Sequence, residues 1–269
     1  MALPPPTHLA ELLGDGNNTF HNGKGFGSFS GAPAIIAADI NGDGKLDLIT
    51  TQGTNSVSVF LGNGDGTFRH FVDYEGVDGY LQVGDFNGDG KLDLIVETEN
   101  TNTKNRWHLF FLAGNGDGTF QKPQFIHAIS NGCSFGQMLW VSDFNNDGNL
   151  DLAFCSTGMV GVMLGNGNGT FQKPVFYSAL LTAQGSFTFT VGDFNSDGKT
   201  DIIIQHEALD NQFISLFGKG DGTFQTPQII DGLACTGELG FVTGDFNRDG
   251  LLDFVSQTPG GGICIYLQQ

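Results

Sequence analysis

Asp85-Phe86-Asn87-Gly88-Asp89-Gly90-Lys91-Leu92-Asp93 puts side-chain oxygens at positions one, three, five and nine of a nine-residue stretch. Glycine holds position six, where a loop of this spacing turns sharply, and the carbonyl of position seven completes a set of oxygens suited to a hard cation. The pattern returns at residues 39–47, 143–151, 193–201 and 245–253, so that successive copies start 46, 58, 50 and 52 residues apart. Self-similarity at that period is the mark of a repeat architecture.

A second signature alternates with the first. Leu-Gly-Asn-Gly-Asp-Gly-Thr-Phe at 61–68 returns at 113–120, 164–171 and 217–224, and in degenerate form at 13–20. Around these two landmarks one unit reads as four strands. A short apolar run (80–84) enters the nine-residue loop. The strand that leaves it (92–98) is almost continuously apolar, as expected for burial on both faces. A third strand (56–61) ends at Asn-Gly-Asp-Gly, residues that tolerate positive φ and mark a hairpin. The fourth starts at Thr-Phe and runs toward Lys122-Pro123, Lys173-Pro174 or Thr226-Pro227, where proline suits an outer edge.

Four antiparallel strands in about 50 residues, with buried inner strands, predict an all-β chain: a β-propeller of four-stranded blades. Parallel solenoid rungs are usually shorter, and hairpin turns at this spacing speak against them. Five blades are expected within a single domain of residues 1–269, at about 33–76, 80–128, 137–180, 186–231 and 240–269. The last is expected to be closed by 19–29 lying beside 263–267. Residues 7–13 are then surplus, to cover an edge, pair with another molecule or stay disordered. A larger ring of which this chain is a part is the other reading.

Composition sets the outer bounds. Among 269 residues there are 42 glycines, which favour turns over helices, and 25 phenylalanines, which exclude a disordered tract. The formal charge is −18 with 11 Lys and Arg, a balance that argues against nucleic acid and anionic membrane surfaces. No apolar run approaches the ~20 residues of a membrane span, so no membrane insertion is expected. No signal peptide is visible in this chain. An extracellular or cell-surface location is still expected, with a leader removed, because cytosolic calcium is too low to fill sites of ordinary affinity.

Cys133 and Cys235 each lie ten residues before the first Asp of a loop, and Cys155 and Cys264 fall on the adjoining strands. Two disulfides, Cys133–Cys155 and Cys235–Cys264, are the expected pairing; four buried free thiols are the alternative.

The alternation of Asp-x-Asn-x-Asp-Gly-x-x-Asp loops with Asn-Gly-Asp-Gly-Thr-Phe turns resembles the FG-GAP/VCBS repeat family, the blade type of integrin α-subunit propellers and of many bacterial surface proteins. The likeness runs from Leu13 onward, and Phe26-Gly27 followed by Gly31-Ala32-Pro33 repeats the residues that give the family its name. It implies a calcium-stabilised propeller, usually extracellular, used for adhesion or ligand binding; some fungal relatives are lectins. Carried over residue by residue, it implies that Asp39, Asn41, Asp43 and Asp47 hold one ion together with the Lys45 carbonyl. The equivalent sets are Asp85, Asn87, Asp89, Lys91 and Asp93; Asp143, Asn145, Asp147, Asn149 and Asp151; Asp193, Asn195, Asp197, Lys199 and Asp201; and Asp245, Asn247, Asp249, Leu251 and Asp253. All-oxygen ligation points to Ca²⁺ rather than Mg²⁺ or a transition metal, at about five ions per chain. With ~1 mM calcium and affinities near 10⁻⁵ to 10⁻⁴ M, each filled site adds roughly 1.4–2.7 kcal/mol of stability.

The Asn-Gly-Asp-Gly turns read as plain hairpins, and the recurring phenylalanines as packing between blades. The six histidines show no metal spacing, and no nucleophile elbow, phosphate loop or dinucleotide fingerprint is present. Catalysis is therefore not expected, a calcium-dependent polysaccharide-degrading enzyme being the minor alternative. The expected function is a binding or adhesion module for glycans or for cell-surface and matrix proteins. Residues 99–107, 130–140 and 206–212 depart most from the repeat and carry Trp107 and Trp140, which serve either as sugar-stacking platforms or as core. A structural, self-assembling surface protein, forming homo-oligomers through its N-terminal segment, is the competing class.

Overall fold

The computed structural model describes residues 9–14, 19–26, 34–51, 55–99, 106–130, 139–156, 159–178, 187–206, 213–230, 241–257 and 263–268. They fall into two compact units, Met1–Asp85 with Asp89–Thr101 and His108–His127, and Phe86–Gly88 with Asn102–Trp107 and Ala128–Gln269. All the described elements are strands. Among the described residues no helix is long and apolar enough to cross a membrane.

The first unit holds a hairpin of β1 (Leu9–Gly14) and β2 (Phe20–Phe26). Next come a sheet of β3 (Ile35–Ala38), β4 (Asp47–Thr51), β5 (Ser56–Gly62) and β6 (Phe68–Glu75), and one of β7 (Gly79–Gly84), β8 (Asp93–Glu99), β9 (Arg106–Leu112) and β10 (Gln124–Ser130). The second unit holds two sheets of four strands. One is β11 (Leu139–Ser142), β12 (Asp151–Ser156), β13 (Met159–Met163) and β14 (Val175–Ser178); the other is β15 (Phe187–Gly192), β16 (Asp201–His206), β17 (Phe213–Leu216) and β18 (Gln228–Ile230). A three-stranded sheet follows: β19 (Phe241–Gly244), β20 (Asp253–Gln257) and β21 (Ile263–Tyr266). The four-stranded sheets are antiparallel meanders in sequence order, the blade of a β-propeller, as the repeat predicts.

Burial follows the apolar pattern. Every residue of β12 is buried, and every residue of β8 except Glu99. In the first unit Leu94 and Val96 of β8 join Ile49 of β4 and Val57 and Val59 of β5 in one apolar cluster. The outer strands β14 and β18 are largely exposed.

Two expectations change. The fourth strand starts at Thr-Phe in the first four-stranded sheet, where β6 begins at Phe68, and in the hairpin, where β2 begins at Phe20. Elsewhere Phe120, Phe171 and Phe224 make a single bridge to Gly114, Gly165 and Gly218, and the ladder resumes only past the proline. Pro123, Pro174 and Pro227 have no N–H to donate, which interrupts it. In the sheet order β2 is the partner of β1, where a closing strand beside 263–267 was expected. Of the segment 7–13 expected to be surplus, residues 9–13 belong to β1, and 7 and 8 lie outside the described residues. A hairpin across a short loop costs far less closure entropy than a pairing across most of the chain.

Candidate functional site

The five nine-residue loops join the first strand of each sheet to the second, and they share one backbone. Position-six glycines take positive φ, from 77° at Gly198 to 86° at Gly250, which only glycine adopts without strain. The position-one carboxylates (Asp39, Asp85, Asp143, Asp193, Asp245) accept the N–H groups of positions five and six at 2.8–3.2 Å. Asn41, Asn145, Asn195 and Asn247 accept the position-five N–H as well. Each position-five carboxylate accepts the N–H of position seven, which belongs to Lys45, Lys91, Asn149, Lys199 or Leu251. The loop thus winds around its own oxygens.

Position nine does more than its sequence role implies. Asp47, Asp93, Asp151, Asp201 and Asp253 are all fully buried. One oxygen of each accepts an N–H from the far end of the third strand, that of Gly62, Gly114, Gly165, Gly218 or Gln268, at 2.7–2.9 Å. In four loops the other accepts the N–H of position two, Ile40, Phe144, Phe194 or Phe246, at 2.8–3.1 Å. The carboxylate therefore pins the start of its loop to the following hairpin. In four repeats the partner is the glycine that heads the Asn-Gly turn, 14 to 21 residues beyond the Asp, and in the last it is Gln268.

The donor set suits a hard cation. Burial pushes the carboxyls of Asp151 and Asp201 up to about 6, against the pull of their backbone N–H bonds. The charges of Asp147 and Asp143, or of Asp197 and Asp193, add to the rise, the crowding that a divalent ion relieves. Some of that charge is met by lysine: Lys45, Lys91 and Lys199 lie 3.5, 3.6 and 3.0 Å from Asp43, Asp89 and Asp197. Among the described residues no three His, Cys, Asp or Glu side chains already converge as a metal cage.

The other landmarks are structural. In the turns, Asp65, Asp117, Asn168 and Asp221 accept both the N–H and the hydroxyl of Thr67, Thr119, Thr170 and Thr223. Asn168 serves as well as Asp because only an oxygen is required. The phenylalanines pack as expected: in the second unit Phe86 meets Phe171 at 6.1 Å and Phe144 meets Phe224 at 5.8 Å. Trp107 and Trp140 are half-buried, and among the described residues the Trp140 Nε1 is buried with no hydrogen-bond partner. Cys155 and Cys264 are each disulfide-bonded, whereas Cys133 and Cys235 lie outside the described residues. So does most of 99–107, 130–140 and 206–212.

An aromatic and polar cleft of about 510 Å³ opens in the first unit between β6 and the turn before β10. Asp73, Tyr74, Glu75, Gly76, Phe120, Lys122 and Pro123 line it. Tyr74 and Phe120 meet edge to face at 5.8 Å, and the tyrosine oxygen accepts the Phe120 N–H at 2.8 Å. Ser58 donates its hydroxyl to Asp73 at 2.5 Å, which fixes one wall.

Blade-type sheets strung on acidic loops and Asn-Gly turns define a repeat protein of the β-propeller class. Residues 39–96 and 143–204 match the FG-GAP-like repeat family. No curated protein matches the sequence. Among solved structures, the chain is similar to a lectin of Agrocybe aegerita whose structure describes recognition of non-reducing terminal N-acetylglucosamine. The TM-score is 0.65 at 18% identity, over 98% of this chain and 75% of that one. It is also similar to AofleA from Arthrobotrys oligospora, at TM-score 0.50 and 13% identity over 91% and 72% of the two chains. The exo-type rhamnogalacturonan lyase YesX aligns more loosely, at TM-score 0.47 and 15% identity, over 98% and 50%.

Proposed function

We propose that the protein is a calcium-stabilised carbohydrate-binding module that works outside the cell and carries out no catalysis. The cleft beside Tyr74 carries this reading. A saccharide needs an apolar surface for its C–H face and charged or amide groups for its hydroxyls, and the half-buried Tyr74 ring, backed by buried Phe120, stands beside Asp73, Glu75 and Lys122. The likeness in fold to the Agrocybe aegerita lectin makes oligosaccharides ending in N-acetylglucosamine the first ligands to try. The half-cystines Cys155 and Cys264 support an oxidising compartment, with Cys133 and Cys235 as their partners; non-reducing peptide mapping checks both pairs.

The test is a glycan array probed in calcium with the wild type and with Glu75→Ala, a change at an exposed residue of the cleft. Binding by the first and its loss in the second, with melting temperature preserved, is the expected result. A folded wild type that binds no glycan ends the proposal, and an unsaturated product released from pectic substrates replaces it with an enzyme.

A further inference from the structure

In the four-stranded sheets the side chain at loop position seven lies across the first glycine of the turn that follows in the same sheet. A side chain at Gly64, Gly116 or Gly220 would meet the stem of Lys45, Lys91 or Lys199 at 2.9–3.1 Å, and one at Gly167 would meet Asn149. Packing against the turn thus delivers each lysine's charged end to a fixed place beside the loop.

The charge at position seven follows the turn. Lys45, Lys91 and Lys199 go with turns built on Asp65, Asp117 and Asp221, the last with Lys219 in the turn as well, whereas Asn149 goes with the turn built on Asn168. The turn itself does not require the charge, because Asn168 accepts the N–H and hydroxyl of Thr170 as Asp117 accepts those of Thr119. Lysine and aspartate are present together or absent together in all four repeats. The hydroxyl and N–H of Thr119, and with them the charge of Lys91, hold the Asp117 carboxyl below its ordinary range. Lys91 therefore acts on the turn as well as on the loop.

The ammonium also stands on an oxygen that an ion would take. In each position-five carboxylate one oxygen accepts the N–H of position seven. The other, on Asp43, Asp89 and Asp197, meets the Nζ of Lys45, Lys91 and Lys199 at 3.5, 3.6 and 3.0 Å. Arg69 joins Lys45 on that oxygen of Asp43, at 3.6 Å. In the loop of Asn149 the same oxygen of Asp147 accepts a neutral amide, that of Asn145, at 2.9 Å.

We propose that position seven grades the calcium affinity of the loops through a hand-over: an arriving ion displaces the ammonium from the position-five carboxylate, and the turn aspartate receives it. This rests on calcium being the ion of the loops. Loop 143–151 has no ammonium to displace and is the tightest of the four, while loop 39–47, where Arg69 joins Lys45, is the weakest. A cation kept within several ångströms of a divalent ion lowers its binding about tenfold even at the dielectric of water.

The probe is calcium itself. Amide resonances of the position-six glycines Gly44, Gly90, Gly148 and Gly198 read the four loops separately as free calcium is stepped down in a chelator buffer. The Gly148 midpoint is expected about tenfold below that of Gly90, and the Gly44 midpoint above both. Lys91→Asn should bring the Gly90 midpoint down about tenfold and leave Gly198 in place. Asp117→Asn, which keeps the turn, should raise the Gly90 midpoint in the chain with Lys91 and not in a chain that also carries Lys91→Asn. If the chain unfolds before its loops empty, melting curves carry the same test: Lys91→Asn should raise the melting temperature in ~1 mM calcium and not in EDTA. A common midpoint for Gly90 and Gly148, or a Lys91→Asn chain that behaves as the wild type in calcium, overturns the hand-over and leaves calcium as the ion of the loops. Glycine resonances and melting curves indifferent to calcium overturn both.

Discussion

Ser256 donates its hydroxyl to Oε1 of Gln205 across 3.1 Å, and both side chains are buried. Glu97 holds the same repeat position in the second sheet, four residues past the position-nine Asp, and is fully buried with neither carboxylate oxygen paired among the described residues. Where Gln205 has found a hydroxyl, Glu97 has only its proton.

That difference predicts a pH dependence. Burial pushes the Glu97 carboxyl up to about 8 from an ordinary 4.5. Below 4.5 folded and unfolded chains both hold the proton, and the contribution of the site is complete. As pH rises toward 8 the unfolded chain ionises while the folded one does not, so stability is lost across that window. Glu97→Gln removes the titrating group. Denaturant unfolding at pH 5 and pH 8 should show the wild type losing on the order of 3 kcal/mol relative to the variant. Parallel pH curves for the two proteins would refute it.

Calcium removal should be severe. If each loop gains roughly 1.4–2.7 kcal/mol from its ion, five loops together rival the net stability of a typical domain. Chelation with EDTA is expected to lower the melting temperature by tens of degrees, and added calcium to restore it. An unchanged melting curve rules out calcium as the stabilising ion.

Positions five and nine of one loop should separate under chelation. Asp147 is exposed and serves its own loop, whereas buried Asp151 also holds Phe144 at 2.8 Å and Gly165 at 2.7 Å. Asp147→Ala should destabilise chiefly when calcium is present, because without it only exposed bonds to the Asn149 N–H and the Asn145 amide are lost. Asp151→Ala strands two buried N–H groups at about 1–3 kcal/mol each, with or without calcium. Equal loss in the two variants under EDTA would show that the backbone clamp contributes nothing of its own.

How much was legible in the sequence follows from the range of each interaction. Loop and turn signatures are local: Asp39 bonds Gly44 and Asp65 bonds Thr67, so spacing alone placed them. The continuous apolar run after each Asp gave the buried second strand for the same reason. The Asp47–Gly62 clamp joins residues 15 apart, and the repeat marks both without saying that they meet. The repeat marks 9–13 and 263–267 alike as third strands, and it does not say that β2 pairs with β1. The cleft beside Tyr74 is assembled from two sheets, and no single stretch of sequence contains it.

Position four of the loops offers the last test. Gly42 and Gly88 stand there at φ 71° and 73°; Asn146, Ser196 and Arg248 take the same left-handed conformation at 57°, 59° and 63°. Asparagine tolerates it through its short polar side chain, but arginine has no such relief, and a residue with a Cβ is strained there by roughly 1–2 kcal/mol. Arg248 is exposed. Against this gain, glycine adds freedom to the unfolded chain, a loss of about 0.4–1 kcal/mol. Arg248→Gly should therefore raise the unfolding free energy by up to about 1 kcal/mol, moving the melting temperature up by a few degrees. Arg248→Ala keeps the strain and loses the charge, so it separates the backbone effect from electrostatics. Equal melting temperatures for the glycine and alanine variants would mean that the left-handed turn at Arg248 is not strained.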